Sequence, residues 1–135
     1  MKIYFAGSIR GGRDDADRYY DIINHLKKYG DVLTEHVGND ALTSSGENIL
    51  DDNQIHNRDM DWLLSSDIIV AEVTNPSLGV GYEIGRAIEE KKKIICLFYA
   101  KSKNRLSAMI AGSKDVILFK YSSLNEVVEY LDKVL

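Results

Sequence analysis

The chain has 135 residues, 44% hydrophobic and 28% charged, enough for one domain with a real core, and residues 1–135 are read as that single domain. Its net charge of −4 argues against a nucleic-acid polymer or an anionic membrane as partner, while leaving room for a local basic pocket around a single phosphate. The lone cysteine, Cys96, excludes an internal disulfide, no apolar run approaches the ~18 residues of a membrane span, and "MKIYFAGSIR" lacks a leader pattern, so a cytoplasmic location is expected.

"KIYFA" (2–6) predicts a short buried strand, followed by the loop "GSIRGGRDD". Residues 14–29 carry helical spacing, with Tyr19, Ile22, Ile23 and Leu26 on one face and Gly30 as a stop. "DVLT" (31–34) predicts a second strand, and the polar stretch 35–48 is the longest candidate loop. Residues 49–65 are expected to be helical. "DIIVAEV" (67–73) is nearly all apolar, as a strand buried on both faces should be. A helix over 80–91, the strand "KIICLFY" (93–99), a short helix over 105–111, the strand "VILFKY" (116–121) and a helix over 124–135 complete the chain.

That alternation predicts an α/β, single-domain, Rossmann/flavodoxin-like three-layer sandwich around a five-stranded parallel sheet, with 2-1-3-4-5 as the simplest strand order. Ligands of such sheets sit beyond the carboxyl ends of the strands, at the switch between strands 1 and 3. Two loops leave that edge, "GSIRGG" (7–12) and "TNPSLGVGYE" (74–83), and they should face each other across one cleft.

The first loop offers backbone N–H groups, the Ser8 hydroxyl and the Arg10 guanidinium ahead of a helix N-terminus, a combination that suits a phosphate. It is neither a dinucleotide fingerprint nor a Walker loop. In "DDNQIHNRDMDWLL", helical spacing puts Asp59 in a seam with Ile55, Trp62 and Leu63, while Arg58 and Asp61 point elsewhere. A carboxylate in such a seam is either bonded to a neighbouring loop or has a chemical task. Asp52, His56 and Asp59 share a side, but with no HExxH pattern and no second ligand cluster a metal site is not expected. Glu83 is placed in the first turn of its helix, where the macrodipole favours the ionised form; it reads as a helix-start acid, a cap or a nucleophile. A phosphate anchor, an ionised glutamate and a second carboxylate together make a glycosyl-transfer site.

The strings "IYFAGSIRGGR", "GDVLTEHV", "IHNRDMDWLLSSDIIVAEVTNPSLGVGYEIGRA" and "LSAMIAG" closely resemble the 2′-deoxynucleoside 5′-phosphate N-hydrolases of the nucleoside 2-deoxyribosyltransferase superfamily. The resemblance runs from Lys2 to about Gly112. It implies cleavage of the N-glycosidic bond of a 2′-deoxynucleoside 5′-monophosphate into free base and 2-deoxyribose 5-phosphate, without metal or organic cofactor. It implies that Glu83 is the nucleophile at C1′, that Asp59 assists base departure and water attack, and that Tyr4 positions the nucleophile. Arg10 with the Ser8, Ile9, Gly11 and Gly12 backbone, and Ser77 with Gly79, match the phosphate cradle. Ser107 matches a serine that reaches the neighbouring subunit's phosphate, which implies a homodimer with shared sites. Ile9, His36 and Ile55 resemble base-pocket positions. Two other activities fit the same fold: a nucleoside 2-deoxyribosyltransferase, against which the phosphate loop speaks, and a non-catalytic nucleotide sensor, against which the joint presence of Tyr4, Asp59 and Glu83 speaks.

Overall fold

The computed structural model describes residues 1–9, 15–38 and 49–135, with the Glu35 side chain excepted. Five parallel strands, β1 (Lys2–Ala6), β2 (Asp31–Val32), β3 (Ile68–Glu72), β4 (Lys93–Tyr99) and β5 (Ile117–Tyr121), lie in the order β2-β1-β3-β4-β5. The order is the one expected, so the switch point falls between β1 and β3. Helices α1 (Ala16–Leu26) and α5 (Leu124–Val134) cover one face; α2 (Asp52–Ser65) and α3 (Leu78–Glu89) cover the other, and α4 (Ala108–Ala111) is a single turn.

Strand alternation divides the core. Ile3, Phe5, Ile68, Val70, Ile95 and Leu97 pack with Tyr19, Ile22, Leu26, Val127 and Leu131. Tyr4, Ala6, Ile69, Ala71, Ile94 and Cys96 pack with Met60, Leu63, Val80, Ile84 and Ala87. All five residues of β3 are buried, as a strand sandwiched between helix layers requires. No helix among the described residues is long and apolar enough to cross a membrane.

The second strand is shorter than "DVLT" suggests. The ladder ends at Val32, although Leu33 N still donates to Ile3 O at 2.9 Å. The Thr34 hydroxyl then replaces strand pairing: it accepts from Phe5 N at 2.8 Å and donates to Phe5 O at 2.6 Å. A 3₁₀ helix (Glu35–Gly38) follows where a loop was expected, and 39–48 of that stretch lies outside the described residues.

Helix α2 starts at Asp52, later than periodicity indicates, because Asp51 and Gln54 form a reciprocal capping box, Gln54 N to Asp51 Oδ1 at 2.8 Å and Asp51 N to Gln54 Oε1 at 3.0 Å. Helix α3 starts earlier than expected, since Ser77 caps it by accepting from Val80 N at 3.3 Å. It closes with Lys91 at φ 55°, whose flanking amides bond back as Lys91 N to Ile88 O and Lys92 N to Ala87 O, a Schellman ending with lysine where glycine is usual. The Lys92 ammonium donates to Leu64 O and Ser66 O, tying that ending to the end of α2.

Candidate active site

Tyr4 is 1% exposed in the middle of β1. Alternation turns it toward α2 and α3, where its hydroxyl donates to Glu83 Oε1 at 3.0 Å. With α3 beginning at Leu78, Glu83 lies in the second turn, and no acidic residue occupies the first. This corrects the expected first-turn placement, and the reason is the Ser77 cap. The dipole effect fades within a turn, so burial decides the charge: it pushes the Glu83 carboxyl up to about 8, the Tyr4 bond pulls the other way, and the nearby Asp59 charge pushes further up. Burial thus favours the neutral carboxyl, against the ionised form that a first-turn position would favour. Tyr4 is itself raised far above its usual range by burial, then by Glu83 and Asp59.

Asp59 is less buried than a seam residue would be. The buried stripe of α2 is Met60 and Leu63, with Ile55, Asp59 and Trp62 half-exposed along its flank. Asp59 stands close enough to Glu83 for its charge to be felt there. Arg58 does not point elsewhere. Its Nε and Nη2 donate to Asp59 Oδ1 at 3.0 and 2.9 Å, its guanidinium lies 4.7 Å from the Trp62 ring centroid, and Nη2 approaches His36 Nε2 at 3.4 Å. A long, forked side chain reaches a neighbour that helical geometry alone would separate from it. His36 is brought to this wall, 5.8 Å from Trp62 between ring centroids.

His56 engages Tyr82 OH and Asn57 Oδ1, each at 3.0 Å, Asp59 engages Arg58, and no group of three metal-ligating side chains occurs among the described residues.

On the phosphate side, Arg10, Gly11 and Gly12 lie outside the described residues. Ser8 is fully buried, with its backbone N–H donating to Tyr19 OH at 3.0 Å. Ile9 packs against the α1 side of the core, on the other sheet face from Tyr4. Ser77 and Gly79 sit at the α3 N-terminus, where first-turn amides lack helical acceptors. A Cβ at Gly79 would meet only Ser77 Oγ, at 3.8 Å, so packing within the described chain does not demand glycine there. Ser107 is the exposed N-cap of α4, accepting from Met109 N at 3.2 Å.

Glu72, which the sequence reading does not single out, ends β3 fully buried. One oxygen accepts from Thr74 N at 3.1 Å and from the Thr74 hydroxyl; the other has no hydrogen-bond partner among the described residues. Burial raises its carboxyl to about 7 against the opposing Thr74 bond. The Thr74 hydroxyl also accepts from Tyr99 N at 2.8 Å, and Thr74 O accepts from Asn104 Nδ2 at 3.0 Å. This network fixes the loop leading to Ser77 and ties it to the segment leading to Ser107. The available signal was a single charged residue closing an otherwise apolar strand at the ligand-binding edge.

A sequence profile of the nucleoside 2-deoxyribosyltransferase family matches residues 3–122. The chain belongs to that family. Among its relatives, a 5-hydroxymethyl-dUMP N-hydrolase of Tetraodon nigroviridis is 58% identical over 114 residues, 84% of this chain and 80% of the relative. The 5-hydroxymethyl-dUMP N-hydrolase of Danio rerio is 54% identical over 126 residues, 93% of this chain and 88% of the relative. A solved structure of the same fold, the Clostridium botulinum CMP N-glycosidase BcmB, superposes with a TM-score of 0.73 at 23% identity, covering 98% of this chain and 99% of the other.

Proposed function

We propose that the chain hydrolyses the N-glycosidic bond of 2′-deoxynucleoside 5′-monophosphates, releasing the base and 2-deoxyribose 5-phosphate. The observation that carries the reading is the Tyr4–Glu83 hydrogen bond with Asp59 alongside, in a fold whose relatives carry N-hydrolase names. The base-modified deoxynucleotide in those names, 5-hydroxymethyl-dUMP, is the first substrate to try.

Glu83 is the nucleophile in this reading. With its carboxyl raised by burial it starts protonated in this reading, and that proton must leave before attack. Positive charge building at C1′ favours the carboxylate, and the proton passes by way of Asp59 to the departing base as the C1′–N bond breaks. Glu83 Oε and C1′ are then joined as an ester. Water attacks C1′ with Asp59 taking its proton, the ester bond breaks, and the proton returns to Glu83. Tyr4 holds Oε1 and tempers the carboxylate. Lacking a 2′-hydroxyl, the deoxyribosyl cation forms more readily than its ribosyl counterpart, so two carboxylates and a tyrosine suffice.

The 5′-phosphate is assigned to the Ser8–Gly12 loop with Arg10, and to the α3 N-terminus at Ser77 and Gly79, whose amides suit an anion. His36 and Ile55 are assigned to the base side, with Ile9 on the loop between. The same reading makes the working form a cytoplasmic homodimer in which Ser107 completes the partner's phosphate site. Leu78 at 96% and Met109 at 83% exposure, each close in sequence to a proposed phosphate contact, are the apolar side chains a second copy would cover. Sedimentation should give a dimer, and Ser107→Ala should raise KM for the monophosphate; a fully active dilute monomer contradicts the shared site.

The test of the activity is a panel of deoxynucleoside monophosphates, deoxynucleosides and ribonucleotides assayed for free base and sugar phosphate. Release confined to deoxynucleoside monophosphates supports the reading. Release only in the presence of an acceptor base, or binding without release, overturns it in favour of transfer or sensing.

A further inference from the structure

Neighbouring residues on a helix project about 100° apart and do not ordinarily meet. Arg58 and Asp59 do meet, and in an asymmetric way. Nε at 3.0 Å and Nη2 at 2.9 Å both donate to one oxygen, Oδ1. Two donors on one oxygen orient the carboxylate about its own axis and make its two oxygens chemically different. The donor is held in turn. The guanidinium carbon lies 4.7 Å from the Trp62 ring centroid one turn further along α2, and the same Nη2 stands 3.4 Å from His36 Nε2 on the 3₁₀ helix. The Arg58 and Asp59 side chains are 25% and 18% exposed. Stacking on an aromatic face removes much of the rotamer freedom that an arginine on solvent would keep.

We infer that Arg58 is a positioning residue for the proposed reaction: clamped on Trp62 beside His36, it holds the Asp59 carboxylate in the one orientation that serves both the departing base and the attacking water. The inference rests on the reading of Asp59 as the proton carrier. A carrier that must face a ring nitrogen in one step and a water in the next gains rate from being held in a near-attack geometry. The forked cation supplies that orientation, which a point charge or a neutral amide does not.

The experiment is a double-mutant cycle on base release from 5-hydroxymethyl-dUMP, or the best substrate of the panel, read under single-turnover conditions long enough to detect losses of about 10⁵-fold. Arg58→Gln should lower kcat about 10- to 100-fold with KM changed by less than about threefold, and the thermal midpoint should stay near that of the parent chain. Arg58→Lys should recover only part of the loss. In an Asp59→Asn background, Arg58→Gln should change kcat by less than about twofold, because nothing remains to be positioned. Equal losses in both backgrounds, or an unchanged kcat in the parent background, overturn the inference. Asp59→Asn with full kcat refutes the role of Asp59 itself and the inference with it. Failure of the inference alone is recognised by a crippled Asp59→Asn beside an active Arg58→Gln.

Discussion

Glu83→Gln separates burial from helix position as the influence on the nucleophile. Burial raises the Glu83 carboxyl from its usual value of about 4.5 to about 8. Between those values the folded chain binds a proton that the unfolded chain has released, so stability falls as pH rises through this window. The contribution is whole below about 4.5 and lost as pH climbs past about 8. At about 1.4 kcal/mol per unit, the full shift corresponds to about 5 kcal/mol. Glu83 keeps some contact with water, and relaxation around the charge reduces the measurable part to about 1–3 kcal/mol. Glutamine is neutral at every pH and accepts the same Tyr4 bond. Urea unfolding of both proteins should therefore give nearly equal stabilities at about pH 5, and a Glu83→Gln protein more stable by about 1–3 kcal/mol at about pH 8.5. Glu72, also raised, to about 7, is common to both chains and cancels in the difference. Base release should be abolished in the same variant. A stability difference that does not change with pH would refute the raised carboxyl and, with it, the proton that the mechanism moves.

Tyr4→Phe keeps the ring in its buried site and removes the donor to Glu83; since that bond holds the carboxyl down and the Glu83 proton is the one the base receives, the falling limb of the kcat/KM–pH profile should move above about 8, with about 10- to 100-fold lost in kcat because the attacking carboxylate is no longer held. Thr74→Val removes a hydroxyl that serves both Glu72 and Tyr99 N, and urea unfolding should show a loss of about 2–4 kcal/mol. Lys91→Gly relieves a left-handed residue at the end of α3 and should stabilise the chain by about 1 kcal/mol in thermal unfolding, without changing base release.

Elements buried on both faces were the most legible. "KIICLFY" forms β4 to the residue; the β1–β3 switch point lies where the simplest order puts it, although the alternation of strands and helices does not itself fix strand order. Helix starts were less legible because they are set by single caps: Ser77 begins α3 earlier and Asp51 begins α2 later than apolar periodicity indicates. The Ser77 shift moved Glu83 out of the first turn and changed the account of its charge. Arg58 was misplaced because helical spacing describes where a Cβ points, and a long side chain's fork can fold back across that spacing. Glu72 was passed over because one acid hardly disturbs the pattern of a buried strand; only the tertiary contact with Thr74, Tyr99 and Asn104 gives it meaning. The pairing of Tyr4 with Glu83 joins residues 79 apart in sequence, and no local pattern announces it.

The central claim is that Glu83 itself becomes bonded to the deoxyribose carbon. Acid-quenching the enzyme during turnover of 5-hydroxymethyl-dUMP, followed by peptide mapping with mass spectrometry, tests it directly. The account predicts a 2-deoxyribose 5-phosphate adduct on the α3 peptide, localised to Glu83, and none on the Glu83→Gln protein. An adduct on another side chain, or undiminished base release by Glu83→Gln, would contradict it.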